Sequence, residues 1–334
     1  MAHVLFLPEL MEIITEYQDG LNKWTMELVN RLRRVHLSTY QLTTFLLDDI
    51  APFHELYPTW FTYYGYAGLE KLVAYRRAFR IPLLYYALIH GNAHLVKYLE
   101  IKFDVPIKEK AWLLASIYGH VSITEYLFKH HAQSYTIKVM DNAALHNHVG
   151  MIKYLHQSGL AIAPTIRNTA CSRGHLQVLK YAHENNLGEW DSSGVDAAAR
   201  GGYLEILKFL HAHNYDGFGP STMNIAVLYG HIDVVQFLHI YRNEGCTADA
   251  LIFAAKYGKI SLVKFLDENR QERDLRRTLK AAIKHGHVDV VQYLLLRHRL
   301  EIDFKAAKRA ASHYNQSEIL SMLKSKAHDS CAIQ

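Results

Sequence analysis

Apolar residues recur along this chain in short groups, and the groups return at an almost fixed interval. Ile232, Val234, Val235, Phe237 and Leu238 form one such group, with polar residues between them. Spacings of three and four residues place these side chains on one face of an α-helix. The pattern therefore predicts amphipathic helices that bury one face and expose the other.

A glycine or asparagine precedes each apolar group by two residues. An alanine stands four residues before this glycine or asparagine. We call this glycine or asparagine the turn position. Its nine copies are Gly91, Gly119, Asn147, Gly174, Gly202, Gly230, Gly258, Gly286 and Asn315, separated by 27 to 29 residues. Both residue types adopt the left-handed backbone conformation that ends many helices. Each copy is therefore predicted to be a short inner helix, a tight turn and an outer helix, with the alanine letting neighbouring inner helices approach closely.

A fixed period of this size is typical of a solenoid, in which each unit buries its apolar face only by stacking on its neighbours. The predicted fold class is an all-α helical solenoid. We assign residues 61–323 to about nine to ten repeats, the tenth being a degenerate copy at Gly68–Tyr75. Residues 1–60 are expected to form an N-terminal helical cap, and residues 324–334 a flexible tail.

The repeated phrase resembles the ankyrin repeat: segments 226–235 and 282–291 are similar to its AxxxGHxxVV core. The resemblance implies an ankyrin-like solenoid that binds a protein partner, with no catalysis, no cofactor and no small-molecule substrate. The period is shorter than the usual 33 or so residues, and the TPLH signature is nearly absent. The hairpin finger between repeats is therefore expected to be trimmed, as in the divergent ankyrin arrays of oomycetes, amoebae and large DNA viruses.

The residue just before the turn position, the pre-turn residue, ends the inner helix on the side that commonly faces the concave groove. Tyrosine, histidine and arginine predominate there, and these types are enriched at interface hot spots. The alternative is that this residue only closes the helix against its neighbour. The candidate partner-binding residues are His90, Tyr118, His146, Arg173, Tyr229, Tyr257, His285 and Tyr314.

The chain has 22 histidines, which raises the question of a metal site. The repeat accounts for many of them, because histidine recurs directly after the turn position and again nine residues after it. A zinc ion needs ligands that converge tetrahedrally, whereas residues at one repeat position form a ladder. We predict no metal site, and the absence of HExxH, GxSxG and P-loop motifs predicts no enzyme.

The N-terminal residues allow two interpretations. Apolar residues at helical spacing in segments 7–14, 21–32 and 40–47 are consistent with a helical cap over the first repeat. The segment 7–14 also resembles the opening of an F-box, which implies that residues 1–50 dock onto a ubiquitin-ligase adaptor. The chain would then be a substrate receptor of a ubiquitin ligase rather than a scaffold alone.

Charge adds a weaker alternative. The chain carries a net charge of +5, and residues 270–309 contain eleven Lys and Arg against five Asp and Glu. That segment could bind nucleic acid or an acidic partner, but no aromatic-interleaved motif accompanies the charge, which favours a solvated face. Three scattered cysteines, no signal segment and no membrane-spanning run predict a cytoplasmic or nucleocytoplasmic protein.

Overall fold

The computed structural model describes residues 23–32 and 44–328, and all regular elements among them are helices. The chain divides into two compact units, Met1–Ala161 and Ile162–Gln334, which we call the N-terminal and C-terminal units. The predicted all-α class is confirmed for the described residues.

Among residues 23–32 and 44–161, the N-terminal unit has two leading helices and three helix pairs. The leading helices are α1 (Lys23–Leu32) and α2 (Thr44–Tyr75). In each pair the inner helix is named first: α3 (Arg80–Ile89) with α4 (Ala93–Phe103), α5 (Glu109–Tyr118) with α6 (Val121–His131), and α7 (Ile137–Leu145) with α8 (Val149–Gln157).

Over residues 162–328, the C-terminal unit consists of six helix pairs joined by loops without strands. They are α9 (Ile166–Arg173) with α10 (Leu176–Glu184), α11 (Ser193–Gly201) with α12 (Leu204–Ala212), α13 (Pro220–Tyr229) with α14 (Ile232–Tyr241), α15 (Ala248–Lys256) with α16 (Ile260–Asn269), α17 (Leu275–Lys284) with α18 (Val288–Arg297), and α19 (Phe304–His313) with α20 (Ser317–His328).

Neighbouring inner helices in each unit pack directly on one another, and the repeated alanine lies at this contact. A methyl side chain leaves little between two helix backbones, so a larger residue at this position is expected to crowd the contact. All nine copies are fully buried: Ala87, Ala115, Ala143, Ala170, Ala198, Ala226, Ala254, Ala282 and Ala311.

The outer helices bury the predicted apolar stripe. In α14, Val234, Val235 and Leu238 are at most 3% exposed, and Phe237 is 7% exposed. Lys264, on the polar face of α16, is exposed as expected for a solvated lysine. The helical period of the sequence thus separates core from surface in these elements.

Helix α1 packs on α2, and α2 packs on the inner helix α3. Trp60 of α2 is fully buried, and its indole nitrogen donates to the Thr25 hydroxyl of α1 at 3.0 Å. Phe53 of α2 packs edge-on against Tyr86 of α3, with ring centroids 5.0 Å apart. The helical segment 21–32 is confirmed over Lys23–Leu32. The predicted segment 7–14 lies outside the described residues, as do residues 40–43.

Two boundaries differ from the sequence assignment. Helix α2 is broken at Gly65, where φ is 55°. This break lies three residues before Gly68, the first residue of the predicted degenerate copy. Gly68 packs too closely on Trp60 to carry a side chain. Helix α20 continues to His328, beyond the residue at which the tail was expected to begin. Residues 329–334 lie outside the described residues.

Candidate interaction surface

All nine turn positions adopt the left-handed conformation that the sequence predicts. Their φ angles lie between 56° and 93°, with asparagine at two of the nine and glycine at the rest. A residue with a β-carbon is strained in this region, and asparagine less so than most. The turn chemistry of the repeat is therefore confirmed.

The residue just after the turn position, the post-turn residue, reaches back to the preceding helix pair. In the C-terminal unit, His231 Nε2 lies 3.0 Å from the Arg200 carbonyl oxygen, and His287 Nε2 lies 2.9 Å from that of Lys256. Since a carbonyl only accepts, Nε2 carries the proton in each case. The carbonyls belong to the last turn of an inner helix, where no intrahelical donor remains.

The same contact occurs in the N-terminal unit. His120 Nε2 donates to the Ile89 carbonyl at 2.7 Å, and His148 Nε2 donates to the Ile117 carbonyl at 2.8 Å. Histidine at this position is thus a donor that joins two repeats. The sequence indicated that histidines follow the turn, but it did not indicate their partner.

Other donors perform this role at two post-turn positions without histidine. Lys259 Nζ donates to the Leu228 carbonyl at 2.7 Å, and Gln316 Nε2 lies 3.4 Å from the Lys284 carbonyl. Reach and donor capacity therefore define the position better than residue type. The free energy of one such bond is modest, about 1 kcal/mol, but an unpaired buried carbonyl costs more.

The post-turn side chain also covers the preceding turn position. A β-carbon placed on Gly258 would lie 2.5 Å from His287 Nδ1, and one on Gly91 would lie 2.7 Å from His120 Nδ1. Real β-carbons do not approach other atoms so closely. Glycine is required at these turns both by backbone conformation and by the ring that packs on it.

The histidines nine residues after the turn position pack on the next outer helix. The rings of His183, His211 and His239 meet an aromatic ring of that helix edge-to-face, at centroid distances of 5.4, 5.8 and 5.5 Å. The partners are Phe209, Phe237 and Phe265, each 26 residues further along the chain. This row of histidines is therefore a packing element.

A carboxylate at the same position changes the partner to tyrosine. Tyr293 donates its hydroxyl to Asp267 Oδ2 at 3.1 Å, and the Tyr126 hydroxyl bonds Glu100. A comparison of the repeats with one another could have revealed part of this correlation: tyrosine follows both carboxylates, and phenylalanine follows three of the four histidines, His156 being followed by Tyr181. Buried Asp267 is also bonded by His298 Nε2 at 2.7 Å, which ties α16 to the end of α18.

The pre-turn residues of the N-terminal unit are unequal. His90 and His146 are exposed. The His90 ring stacks on His54 at 4.1 Å, and partial desolvation together with the neighbouring His54 and His120 lowers the pKa of His90 to about 4. The Tyr118 hydroxyl is buried with no hydrogen-bond partner among the described residues, and desolvation raises its pKa.

The pre-turn residues of the C-terminal unit are more accessible. Tyr229 is 52% exposed and Tyr257 is 48% exposed, while Arg173 and His285 are also exposed. Tyr314 is half-buried. These residues stand at the same end of successive inner helices, so they lie along one edge of the stack.

Lysines lie beside two of these tyrosines. Lys256 Nζ is 5.0 Å from the centroid of the Tyr257 ring, and Lys284 Nζ is 5.9 Å from that of Tyr314. Both distances fall within the range of a cation–π interaction. Lys256 and Tyr257 are neighbours in the sequence, whereas the fold brings Lys284 to Tyr314 from 30 residues away.

The described residues contain neither a candidate metal site nor a membrane-spanning helix. Nowhere in 23–32 and 44–328 do three His, Cys, Asp or Glu side chains converge in a way that could hold a metal ion. Each helix in the same ranges is too short or too polar to cross a membrane.

Comparisons with known proteins agree with the repeat geometry. Residues 223–308 match the family model described as ankyrin repeats, in three copies. The crystal structure of the human ASB11 ankyrin repeat domain is similar to this chain at 19% identity, over 56% of this chain and 97% of that one, with a TM-score of 0.46. No curated protein matches the chain.

Helix pairs stacked at a fixed interval, each closed by a left-handed turn, define a helical repeat protein. Three of these repeats, in residues 223–308, match ankyrin repeats, and all nine copies share the same turn geometry. Ankyrin repeats in general support protein–protein interaction.

Proposed function

We propose that this scaffold holds a protein partner along its inner-helix face, the side expected from the sequence to be concave. The carrying observation is the exposure of Tyr229 and Tyr257 at equivalent ends of α13 and α15. The other repeated large side chains, after the turn and nine residues after it, are occupied in joining repeats. Among these repeated positions, the pre-turn row is the one that leaves aromatic surface for a partner.

Aromatic side chains at regular intervals suit an elongated partner that touches several repeats. Tyrosine contributes a large contact area with few rotatable bonds and keeps a hydroxyl for hydrogen bonding. Catalysis forms no part of this proposal, because ankyrin repeats are generally interaction modules. The eight pre-turn candidates are proposed as contacts, with Tyr229 and Tyr257 as the main anchors.

The test replaces both anchors by alanine. Tyr229→Ala with Tyr257→Ala should weaken binding of a co-purified partner at least tenfold in calorimetry, because each anchor contributes on the order of 1–2 kcal/mol. The helical circular dichroism spectrum should not change, since both rings are half exposed. Lys208→Ala with Lys264→Ala, on the outer helices, is the matched control and should change binding less than twofold. The opposite ranking would assign the partner to the outer helices.

The F-box reading remains the second candidate, although its motif lies outside the described residues. The packing of Trp60 and Phe53 onto neighbouring helices favours a cap role for the region around them. Leu10→Ala with Ile14→Ala separates the two roles, since it alters the F-box-like segment and spares that packing. Loss of a ubiquitin-ligase adaptor from the purified complex, with the other partners retained, would establish a substrate receptor.

The proposed location is the cytoplasm or the nucleus. Cys171 and Cys246 are both buried free thiols in the structure. Unpaired buried cysteines are common in reducing compartments, where disulfides are rare. Imaging of the tagged full-length chain would test this location.

A further inference from the structure

We propose that the inner-helix face of α13 to α19 binds an extended acidic protein segment that carries apolar residues beside its carboxylates. This inference rests on the proposed function and names the chemistry of the partner. It depends on two adjoining parts of one face, a basic part on α17 and α19 and an apolar part on α13 and α15.

The basic part is strongly and uniformly charged. Helices α17 and α19 contain no Asp or Glu, and all but one of their cations are exposed. Of the cations on these two helices, only Arg277 has a carboxylate of a described residue within ion-pair distance, that of Asp249 at 3.4 Å. The cations are Arg276, Arg277, Lys280, Lys284, Lys305, Lys308 and Arg309.

The carboxylates of neighbouring inner helices are already engaged. Asp196 of α11 accepts hydrogen bonds from the Ser221 and Thr222 hydroxyls of α13, at 3.1 and 2.7 Å. Asp249 of α15 is paired with Arg277 as described. Apart from the Asp249–Arg277 pair, the positive charge of α17 and α19 is therefore not neutralised by the carboxylates of the neighbouring inner helices.

The apolar part lies on the two preceding inner helices. Tyr229 and Tyr257 are half exposed, and Ile225 and Phe253, one helical turn before them, are partly exposed. Contacts at both ends show that neighbouring inner helices run side by side. Asp249 and Arg277, which form an ion pair, each lie nine residues before the turn position of their repeat. Lys284, two residues before its turn position, lies against Tyr314, one residue before the next. The apolar and basic parts therefore adjoin.

Helix spacing sets the pattern that a partner must have. Packed helices lie about 10 Å apart, and an extended chain advances about 3.3 Å per residue. Every third residue of an extended segment would then face the next inner helix. The complementary pattern is apolar–x–x–apolar–x–x–acidic–x–x–acidic, in either chain direction.

A protein segment fits this face better than a nucleic acid. A nucleic-acid backbone is charged along its whole length, so it would lay phosphates over Tyr229, Tyr257 and Phe253 as well as over the cations. An acidic segment with apolar residues can match both parts. Desolvation, and next the charges of Lys256 and Lys284, lower the pKa of His285 at the junction, which is consistent with a positive potential there.

The experiment selects binders from a displayed library of random twelve-residue peptides, using the full chain as bait. We expect enriched peptides to be net acidic and to place carboxylates and apolar residues three apart. A fluorescein-labelled enriched peptide should lose at least twentyfold in affinity with Lys280→Glu and Lys284→Glu, measured by anisotropy. Arg297→Glu with Arg299→Glu changes the net charge equally and lies in the same basic segment, and should change affinity less than threefold.

Each other outcome overturns the inference. Enrichment of neutral or basic peptides, or no enrichment, excludes an acidic partner, and equal loss in both charge-reversed variants indicates attraction by net charge alone. If a twelve-nucleotide single strand or duplex binds more tightly than the peptide and is lost with Lys280→Glu and Lys284→Glu, the face belongs to nucleic acid.

The Tyr229→Ala, Tyr257→Ala variant separates this inference from the proposed function. Non-acidic peptides that it no longer binds would leave the inner-helix face as the binding surface and reject only the acidic partner. The proposed function itself would be rejected if the Tyr229→Ala, Tyr257→Ala variant still bound the peptides and the Lys208→Ala, Lys264→Ala variant did not.

Discussion

The two residues that flank the turn have opposite environments, although they are often of the same type. His285 and His287 stand on either side of Gly286, with nearly parallel rings 6.4 Å apart. His287 donates to the Lys256 carbonyl and covers Gly258, whereas His285 is exposed. In this pair, position relative to the turn, and not residue type, decides whether a side chain stabilises the stack or is left exposed.

The difference has a local cause. The post-turn residue begins the outer helix and faces the open end of the preceding inner helix, whose last carbonyls have no donor of their own. The pre-turn residue ends its own inner helix and has no such acceptor in front of it. Tyr257 and Lys259, on either side of Gly258, show the same division.

The largest expected effect is at the turn itself. Gly258→Val should lower the free energy of unfolding by about 2–4 kcal/mol, because φ is 65° and the new β-carbon would collide with His287. Lys264→Ala on the exposed face of α16 should change it by less than about 0.5 kcal/mol. Urea denaturation of both variants measures the difference, and equal midpoints would refute the role assigned to the turn.

The flanking histidines should differ by less. His287→Ala should cost about 1–2 kcal/mol, because the Lys256 carbonyl loses its donor. His285→Ala, two residues away, should cost less than about 0.5 kcal/mol. His287→Lys should recover part of the loss, since Lys259 makes the equivalent bond one repeat earlier. Equal losses for the two alanine variants in thermal unfolding would remove the distinction between the flanks.

The smallest effect concerns the charge of the exposed flank. Desolvation and the neighbouring lysines hold the pKa of His285 below its ordinary 6.5, so this ring should protonate at a lower pH than a free histidine. Lys284→Gln removes one cation and should raise that pKa by a few tenths of a unit, whereas Lys264→Gln should leave it unchanged. NMR titration of the ring protons tests both, and an unchanged pKa in Lys284→Gln would contradict the assigned electrostatics.

Features set within one repeat could be predicted from the sequence. The left-handed turns and the buried alanines depend on the conformation of a few adjacent residues, so a recurring glycine or alanine is enough to indicate them. The stripe Val234, Val235 and Leu238 follows from helical period alone. These features are sufficient to predict an all-α helical solenoid from the sequence.

Features set between repeats could not be predicted in the same way. The His287 bond joins residues 31 apart, and its acceptor is a backbone carbonyl that carries no residue signature. The contact of Lys284 with Tyr314 depends on the register of two stacked helices. The sequence therefore revealed the candidate residues, whereas the separation of flanks and the joining of basic and aromatic surface required the structure.

The bond from the post-turn donor to a main-chain carbonyl has a consequence for evolution. Because the acceptor is present whatever the residue that carries it, this bond needs no matched mutation in the neighbouring repeat. Histidine, lysine and glutamine already exchange at this position within one chain. Duplication or loss of a whole repeat would therefore preserve this bond, whereas the paired side chains of the outer helices would have to be matched again.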